Sequence, residues 1–419
     1  MRYQTALAAF LLLAGLATAA RAQSEVTIHT FLGKADGSFP HGVAVSSGAV
    51  YVPTAVPGTG RVFKFTPSGG GWTKTDIQHY TAALGTDPGT LIADDTGALY
   101  GVTTHGGPGL CNNGRPVPKV VGCGTVYKLT PPTGKNAATK KWTRTVLYNF
   151  TNTGDGFFPT GRLLRDASGT LYGVTQSVPI TGPCTPTCGG VFQLTPPGVA
   201  GGAWTQRLLY GFTSILEGGG VNDELAMDAD GVLYGTTRYG GPGGTGTVYS
   251  LTPPAIPGGN WTKATVHNFG PRFSGGIGEN PQSGVIIDAS GALYGAAGNI
   301  YKLTPAGGGA WTPSIISSGC APLGGLLADR TGQLFGASVG CGVNSAGTVF
   351  KLTAPATSGD PWIRTVLYSF TGAPPDTGNP DSTLVADQTG TLYGSISGLY
   401  SPNGQSGAVF AISNSGFAP

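Results

Sequence analysis

Charge, histidine and methionine are all scarce in this sequence. Asp, Glu, Lys and Arg make up 10% of its 419 residues, with five histidines and two methionines. The formal net charge of +3 falls to +1 once Arg2 and Arg21 are set aside with the leader described below. So weak a field excludes the electrostatic footprint of a nucleic-acid or anionic-membrane binder. Beyond the leader, no stretch is apolar for long enough to span a bilayer, and none combines helix length with a 3.6-residue apolar period. The nucleophile elbow Gly-x-Ser-x-Gly and the zinc motif His-Glu-x-x-His are missing. Glycine-rich stretches such as 240–244 are loop composition with no helix behind them to grip a phosphate, so no cofactor is expected.

What the chain has in quantity is glycine and proline, 73 and 32 residues, without the every-third-residue spacing of collagen. Short runs rich in Val, Leu, Tyr and Phe lie between these turn formers, the pattern of an all-β protein. Arg2, the apolar run 6–16 and the small residues up to Ala22 read as a signal peptide over 1–22. Residues 23–419 then form one domain, secreted to the periplasm or the extracellular space. The first cysteine is Cys111, which argues against a lipid anchor at the cleavage site. Six cysteines in an exported chain predict disulfides: Cys111 with Cys123, Cys184 with Cys188, and the remaining Cys320 with Cys341. A zinc knuckle at 184–188 would need two further soft ligands, and no nearby Cys or His supplies them.

A four-part cassette recurs. In its clearest copy, strand A (161–166) is followed by a turn at 167–169, strand B (170–174), a variable loop, strand C (190–195) and strand D (204–212). The strand-B aromatic occurs seven times, at Tyr51, Tyr100, Tyr172, Tyr234, Tyr294, Phe335 and Tyr393. Strand C likewise recurs seven times, from Val62-Phe63 to Val409-Phe410. The tryptophan opening strand D occurs only six times, at Trp72, Trp142, Trp204, Trp261, Trp311 and Trp362. The seventh strand D stands alone at the head of the mature chain, where Ile28-His29-Thr30-Phe31 matches Leu147-Tyr148-Asn149-Phe150. A linear stack has no use for such a split, whereas a ring closes through it. The expectation is a seven-bladed β-propeller of four-stranded antiparallel blades, its last blade completed by the N-terminal outer strand. A β-solenoid would want more even repeats than spacings running from 41 (Tyr294 to Phe335) to 72 (Tyr100 to Tyr172).

The A–B turns share an Asp at the first position and a Gly at the fourth, as in Asp166-Ala167-Ser168-Gly169. The Asp accepts from backbone N–H groups two or three residues on, and the Gly closes the turn in the left-handed region. A ring of calcium sites is the competing reading, but each turn offers one or two carboxylates where calcium wants six to eight oxygens.

Function is expected on the opposite face, where the variable B–C loops and the D–A connections emerge. The entrances to strand A surround the mouth of the central channel and carry a polar rim: His41, Thr160, Asn222, Asp223, Gln282 and Asp381. His105 and Tyr239 stand on the B–C loops of that face, and Glu224 and Glu279 lie close by in sequence. A hydrated channel mouth is the blander account of the same residues. His29, His79 and His267 sit on strand D and read as outer-strand packing, which leaves His41 and His105 on the loop face. Tyr239, Tyr400 and Phe157-Phe158 could stack on sugar rings, although the two phenylalanines would equally plug a gap between blades.

The phrases Gly124-Thr125-Val126-Tyr127-Lys128-Leu129-Thr130, Val146-Leu147-Tyr148-Asn149-Phe150 and Asp166-Ala167-Ser168-Gly169-Thr170-Leu171-Tyr172-Gly173 resemble the tandem repeat called GloVer, found in exported bacterial proteins. The resemblance implies export and a surface or extracellular role, and it supplies no catalytic residues. A second likeness, at fold level only, is to secreted propeller lyases that open cyclic ester antibiotics with a metal-assisted base; His41, His105, Glu224 and Glu279 are the raw material here. Three functions follow as expectations. The first is a monomeric binding module that recognises a glycan or an exported protein partner through its loop face. The second is a polysaccharide or ester lyase or hydrolase using His41 with a carboxylate, and the third a structural cell-surface protein.

Overall fold

The computed structural model describes residues 24–56, 59–81, 84–111, 122–134, 141–178, 188–270, 276–357, 359–373, 376–398 and 406–419. The described chain folds into seven antiparallel sheets without an α-helix, and these are the seven blades of a β-propeller. Blade one runs Ala44–Ser46, Ala49–Val56, Thr59–Ser68 and Gly71–Tyr80 from the axis outward. Blade seven takes Val385–Ala386, Leu392–Ile396 and Ala408–Ser413 from the end of the chain and Ser24–Thr30 from its beginning. Ser24 pairs with Ser413 and Thr30 with Ala408, so head and tail share one ladder.

Closure is driven by burial between blades. Among the described residues there are seven apolar clusters, and each straddles one blade–blade junction. The cluster at the seam packs Ile28, Phe31 and Val409 of blade seven against Val52, Phe63 and Phe65 of blade one. It therefore has the same make-up as the junctions within the chain, and no blade is left with an exposed apolar face.

The repeat residues divide this work. Each strand-D tryptophan packs on the strand-B tyrosine of the preceding blade: Trp142 lies 5.6 Å from Tyr51 and Trp362 lies 5.9 Å from Tyr294. Trp72 makes the same contact across the seam, 6.4 Å from Tyr393. The glycine after the strand-B aromatic makes room for the strand-C ring: a Cβ on Gly101 would stand 2.7 Å from the Tyr127 hydroxyl. His29 and His267 stack edge-on against Phe31 and Phe269 at 4.9 and 5.1 Å, as the outer-strand reading expects.

Two features differ from the sequence reading. Strand A is shorter than expected, only two or three residues in most blades, such as Ile92–Ala93 and Ile286–Ile287. Its Gly/Pro entrance lacks the N–H groups and side chains that would carry a ladder further inward. Every strand D also carries a β-bulge, skipping Ile28, Ile77, Leu147, Leu209, Val266, Ile316 and Leu367 in the pairing with strand C. A bulge adds local twist to the outermost strand, which suits blades fanned about an axis.

The A–B turns are held by their aspartates as expected, with one bond that the sequence did not announce. Asp288 Oδ1 accepts from the N–H of Ser290 at 2.8 Å and of Ala292 at 3.0 Å, while the strand-B Tyr294 hydroxyl donates to Oδ2 at 2.8 Å. The same tyrosine bond recurs at Asp94, Asp166, Asp228 and Asp387. Burial works to raise the Asp288 carboxyl, but these hydrogen bonds outweigh it and hold the group below the usual carboxylate range.

Cys111 bonds to Cys123 within one B–C loop, and Cys320 in a D–A loop bonds to Cys341 in the B–C loop of the same blade. Cys188 is disulfide-bonded as well, while Cys184, Tyr400 and the leader lie outside the described residues.

Candidate functional site

Seven strand-A entrances meet around the axis and line a cavity of about 430 Å³ on the loop face. Hydrogen bonds to the backbone between neighbouring blades stitch this ring. The Thr90 hydroxyl donates to the His41 carbonyl at 2.9 Å, and the Arg162 N–H donates to the Asp223 carbonyl at 3.0 Å. Gly161 is needed at the second junction, because its φ is +71° and a Cβ there would collide with Asp223.

The cavity gathers His41, Thr160, Asp223, Glu224, Gln282 and Asp381. It also takes in Arg162, Gln176, Ser283 and Thr383, which sequence reasoning passed over. Aligning the entrances shows the signal that was available. The residue before the first buried aliphatic is Gly42, Thr90, Gly284, Gly325 and Thr383 in five blades, but Arg162 and Glu224 in blades three and four. Two charged side chains of opposite sign thus stand side by side where the repeat otherwise keeps the position small.

The remaining candidates lie elsewhere. Asn222 is buried and donates its amide to the Thr236 hydroxyl at 2.7 Å and to the Pro281 carbonyl at 2.8 Å, joining blades four and five. His105 lies 2.9 Å from Asp87 through Nδ1 and stacks on Phe158 at 5.0 Å, outside the cavity lining. Phe158 is buried against Phe157 and so fills space between elements of the fold. Tyr239 is 47% exposed beside the Arg238 guanidinium, and Glu279 sits on the blade-five entrance with its N–H on the Ala297 carbonyl; neither lines the cavity.

Glu224 reaches across the axis. Its Oε1 accepts from the Thr383 hydroxyl of blade seven at 2.8 Å, and its Oε2 lies against Gly325 of blade six. Burial raises its carboxyl, opposed by the Arg162 charge and the Thr383 bond. Asp223 stands in the crowded mouth of the channel with its surface exposed there. Crowding pushes it up to about 6, with the Thr160 hydrogen bond opposing and the Glu224 charge adding. Asp381 is raised by burial against the bonds from Ser397, whose N–H donates to Oδ1 at 2.9 Å and whose hydroxyl donates to Oδ2. Burial lowers His41, outweighing the Pro88 carbonyl and the Asp87 charge, and so favours the neutral ring. The mouth can therefore donate and accept hydrogen bonds from several directions, and its carboxyls keep their protons to higher pH than free ones. Among the described residues, no three His, Cys, Asp or Glu side chains converge closely enough to hold a metal ion.

Residues 119–299 match the Gloeobacter/Verrucomicrobia repeat, in keeping with the cassette and the propeller. No curated protein matches the chain. Among solved structures it is similar to a gluconolactonase from Xanthomonas campestris, with 13% identity, 74% of this chain and 85% of that one covered, and a TM-score of 0.41. It is also similar to a candidate oxidoreductase (glucose dehydrogenase) from Thermus thermophilus, with 14% identity, 93% and 100% covered, and a TM-score of 0.43. A protein of unknown function from Dyadobacter fermentans gives 13% identity, 94% and 99% covered, and a TM-score of 0.42. Likenesses this distant carry nothing about chemistry.

Proposed function

We propose that this propeller is an exported binding module that receives a glycan end at the mouth of its central channel. The observation that carries the reading is the cavity itself, to which every blade contributes and whose rim offers hydroxyl, amide and carboxyl groups. Such a ring of donors and acceptors on rigid elements suits a polyhydroxylated ligand. The disulfides on the loop face fit a location outside the cytoplasm. No helix among the described residues is long and apolar enough to cross a membrane. Screening the protein on a glycan array, then titrating each hit against wild type and Gln282→Ala, tests the reading. Gln282 is exposed at the rim, and its loss should weaken a true hit by about tenfold. Binding untouched by Gln282→Ala and by Asp381→Asn would place the ligand elsewhere, and an array without hits would end the proposal.

A second reading is favoured by one observation, the raised Asp223 carboxyl sharing a cavity with a neutral His41. That pair could serve acid–base cleavage of a bound glycan or ester. Product analysis after prolonged incubation with any array hit decides it: shortened products that Asp223→Asn abolishes would make the protein an enzyme.

A further inference from the structure

We propose that the ligand of the channel mouth presents an ammonium group, as an amino sugar does, and that Asp223 and Asp381 receive it. The inference rests on the glycan reading above and adds the ligand's charge.

The charges around the mouth do not balance. Three carboxyls line it, Asp223, Glu224 and Asp381, against one guanidinium, Arg162, and the His41 ring, which its surroundings favour as neutral. Arg162 is the cation that Glu224 feels. Asp381 is held by Ser397, and Asp223 by the Thr160 hydroxyl, so neither has a basic partner among the described residues. Carboxyls crowded by protein without a counter-charge are harder to ionise, and a cation entering beside them offsets that cost.

A second observation points to a ligand at the same place. Ser283 lines the cavity, is only 5% exposed, and its hydroxyl has no hydrogen-bond partner among the described residues. A buried hydroxyl left unpaired is unfavourable, and a group arriving at the mouth could complete it. The remaining lining groups, Gln282, Gln176 and Thr160, all offer an acceptor oxygen. An ammonium carries three N–H donors and wants spread, single oxygens of this kind. A divalent metal would want several carboxylates on one point, and the acids and histidines do not converge in that way. An anionic sugar would meet two unpaired carboxyls, and a neutral one would leave their charge unused.

The experiment compares tetramers of glucosamine, N-acetylglucosamine and glucose by calorimetric titration of the full protein near pH 6, the region in which Asp223 titrates. The amino tetramer should bind at least about tenfold more tightly than its acetylated twin. Asp223→Asn, which keeps shape and folding, should erase that preference, and Asp381→Asn should reduce it. Binding should also release protons, seen as a heat that changes with the buffer, because a cation near Asp223, Glu224 and Asp381 drives their ionisation while Arg162 and His41 stay as they are. Equal binding of all three tetramers would overturn the charge inference and leave the glycan module standing. Binding of none would remove both. Calcium alone binding stoichiometrically, and lost in Asp223→Asn, would replace the ammonium by a metal and overturn the inference as well.

Discussion

The ring of Phe417 lies 5.2 Å from that of Phe335, and it occupies on blade six the place that a strand-D tryptophan occupies on each of the other six blades. The N-terminal strand has no tryptophan to offer, since Gln23 stands where Trp142 stands in the second copy. The last residues of the chain cross over to fill the gap. Ala418 donates its N–H to Asp329 Oδ2 at 3.3 Å and accepts from the Arg330 N–H at 3.2 Å, while the Ser415 hydroxyl donates to the Gly390 carbonyl at 2.7 Å. The first strand closes the ring, and the tail fastens blade seven to blade six.

Removing that second fastening should be costly. Phe417→Ala is expected to lower stability by about 2 kcal/mol, less than a fully buried phenylalanine because the side chain is only partly covered. Phe417→Trp should hold or exceed wild-type stability. Urea unfolding midpoints of the three proteins check this, and a silent Phe417→Ala would deny the tail its role.

Two tyrosines of blade five should respond in opposite ways to the loss of a hydroxyl. Tyr294 donates to the Asp288 carboxylate, so Tyr294→Phe should cost about 1–2 kcal/mol. The Tyr301 hydroxyl is buried without a partner among the described residues, and other copies carry Phe192, Phe350 or Phe410 at its position. Tyr301→Phe should be neutral or stabilising by up to about 1 kcal/mol. Thermal melts of the pair would show the contrast, and similar losses in both would refute it.

The Cys320–Cys341 bridge closes a sequence separation of 21 residues, for which chain entropy gives a stabilisation of about 3 kcal/mol. The Cys320→Ser, Cys341→Ser double variant should unfold at lower denaturant by that margin. An unchanged midpoint would mean that the two loops hold their places without it.

Stability should also depend on pH in two opposing ways. The turn aspartates Asp94, Asp288, Asp329 and Asp387 are held below their usual range, so their contribution is present above about pH 4 and is lost as pH falls through their folded pKa values. The mouth carboxyls Asp223, Glu224 and Asp381 are raised, so what they contribute is complete below about pH 4 and is lost as pH rises, for Asp223 through about 6. Urea midpoints across this span should fall on both sides of a mildly acidic maximum. Asp223→Asn should flatten the decline towards neutral pH, and an unaltered slope would contradict the assignment.

The sequence by itself determined the ring. Repeat count, the orphan strand at 26–31 and the Asp-x-x-Gly turns each report local hydrogen bonding or alternate burial, which short stretches of chain encode directly. The paired cysteines at 111 and 123 and at 320 and 341 were legible for the same reason, being close along the chain or on one blade. Only the tertiary structure decided which polar residues face one another across the axis. Glu224 and Thr383 are 159 positions apart and meet because closure brings blades four and seven to the same channel. Asn222, which the sequence grouped with its neighbours, turned instead into a blade junction. The part played by Phe417 could not be seen in the repeat, since it substitutes for a tryptophan from outside the cassette and meets Phe335 only when blade seven packs on blade six.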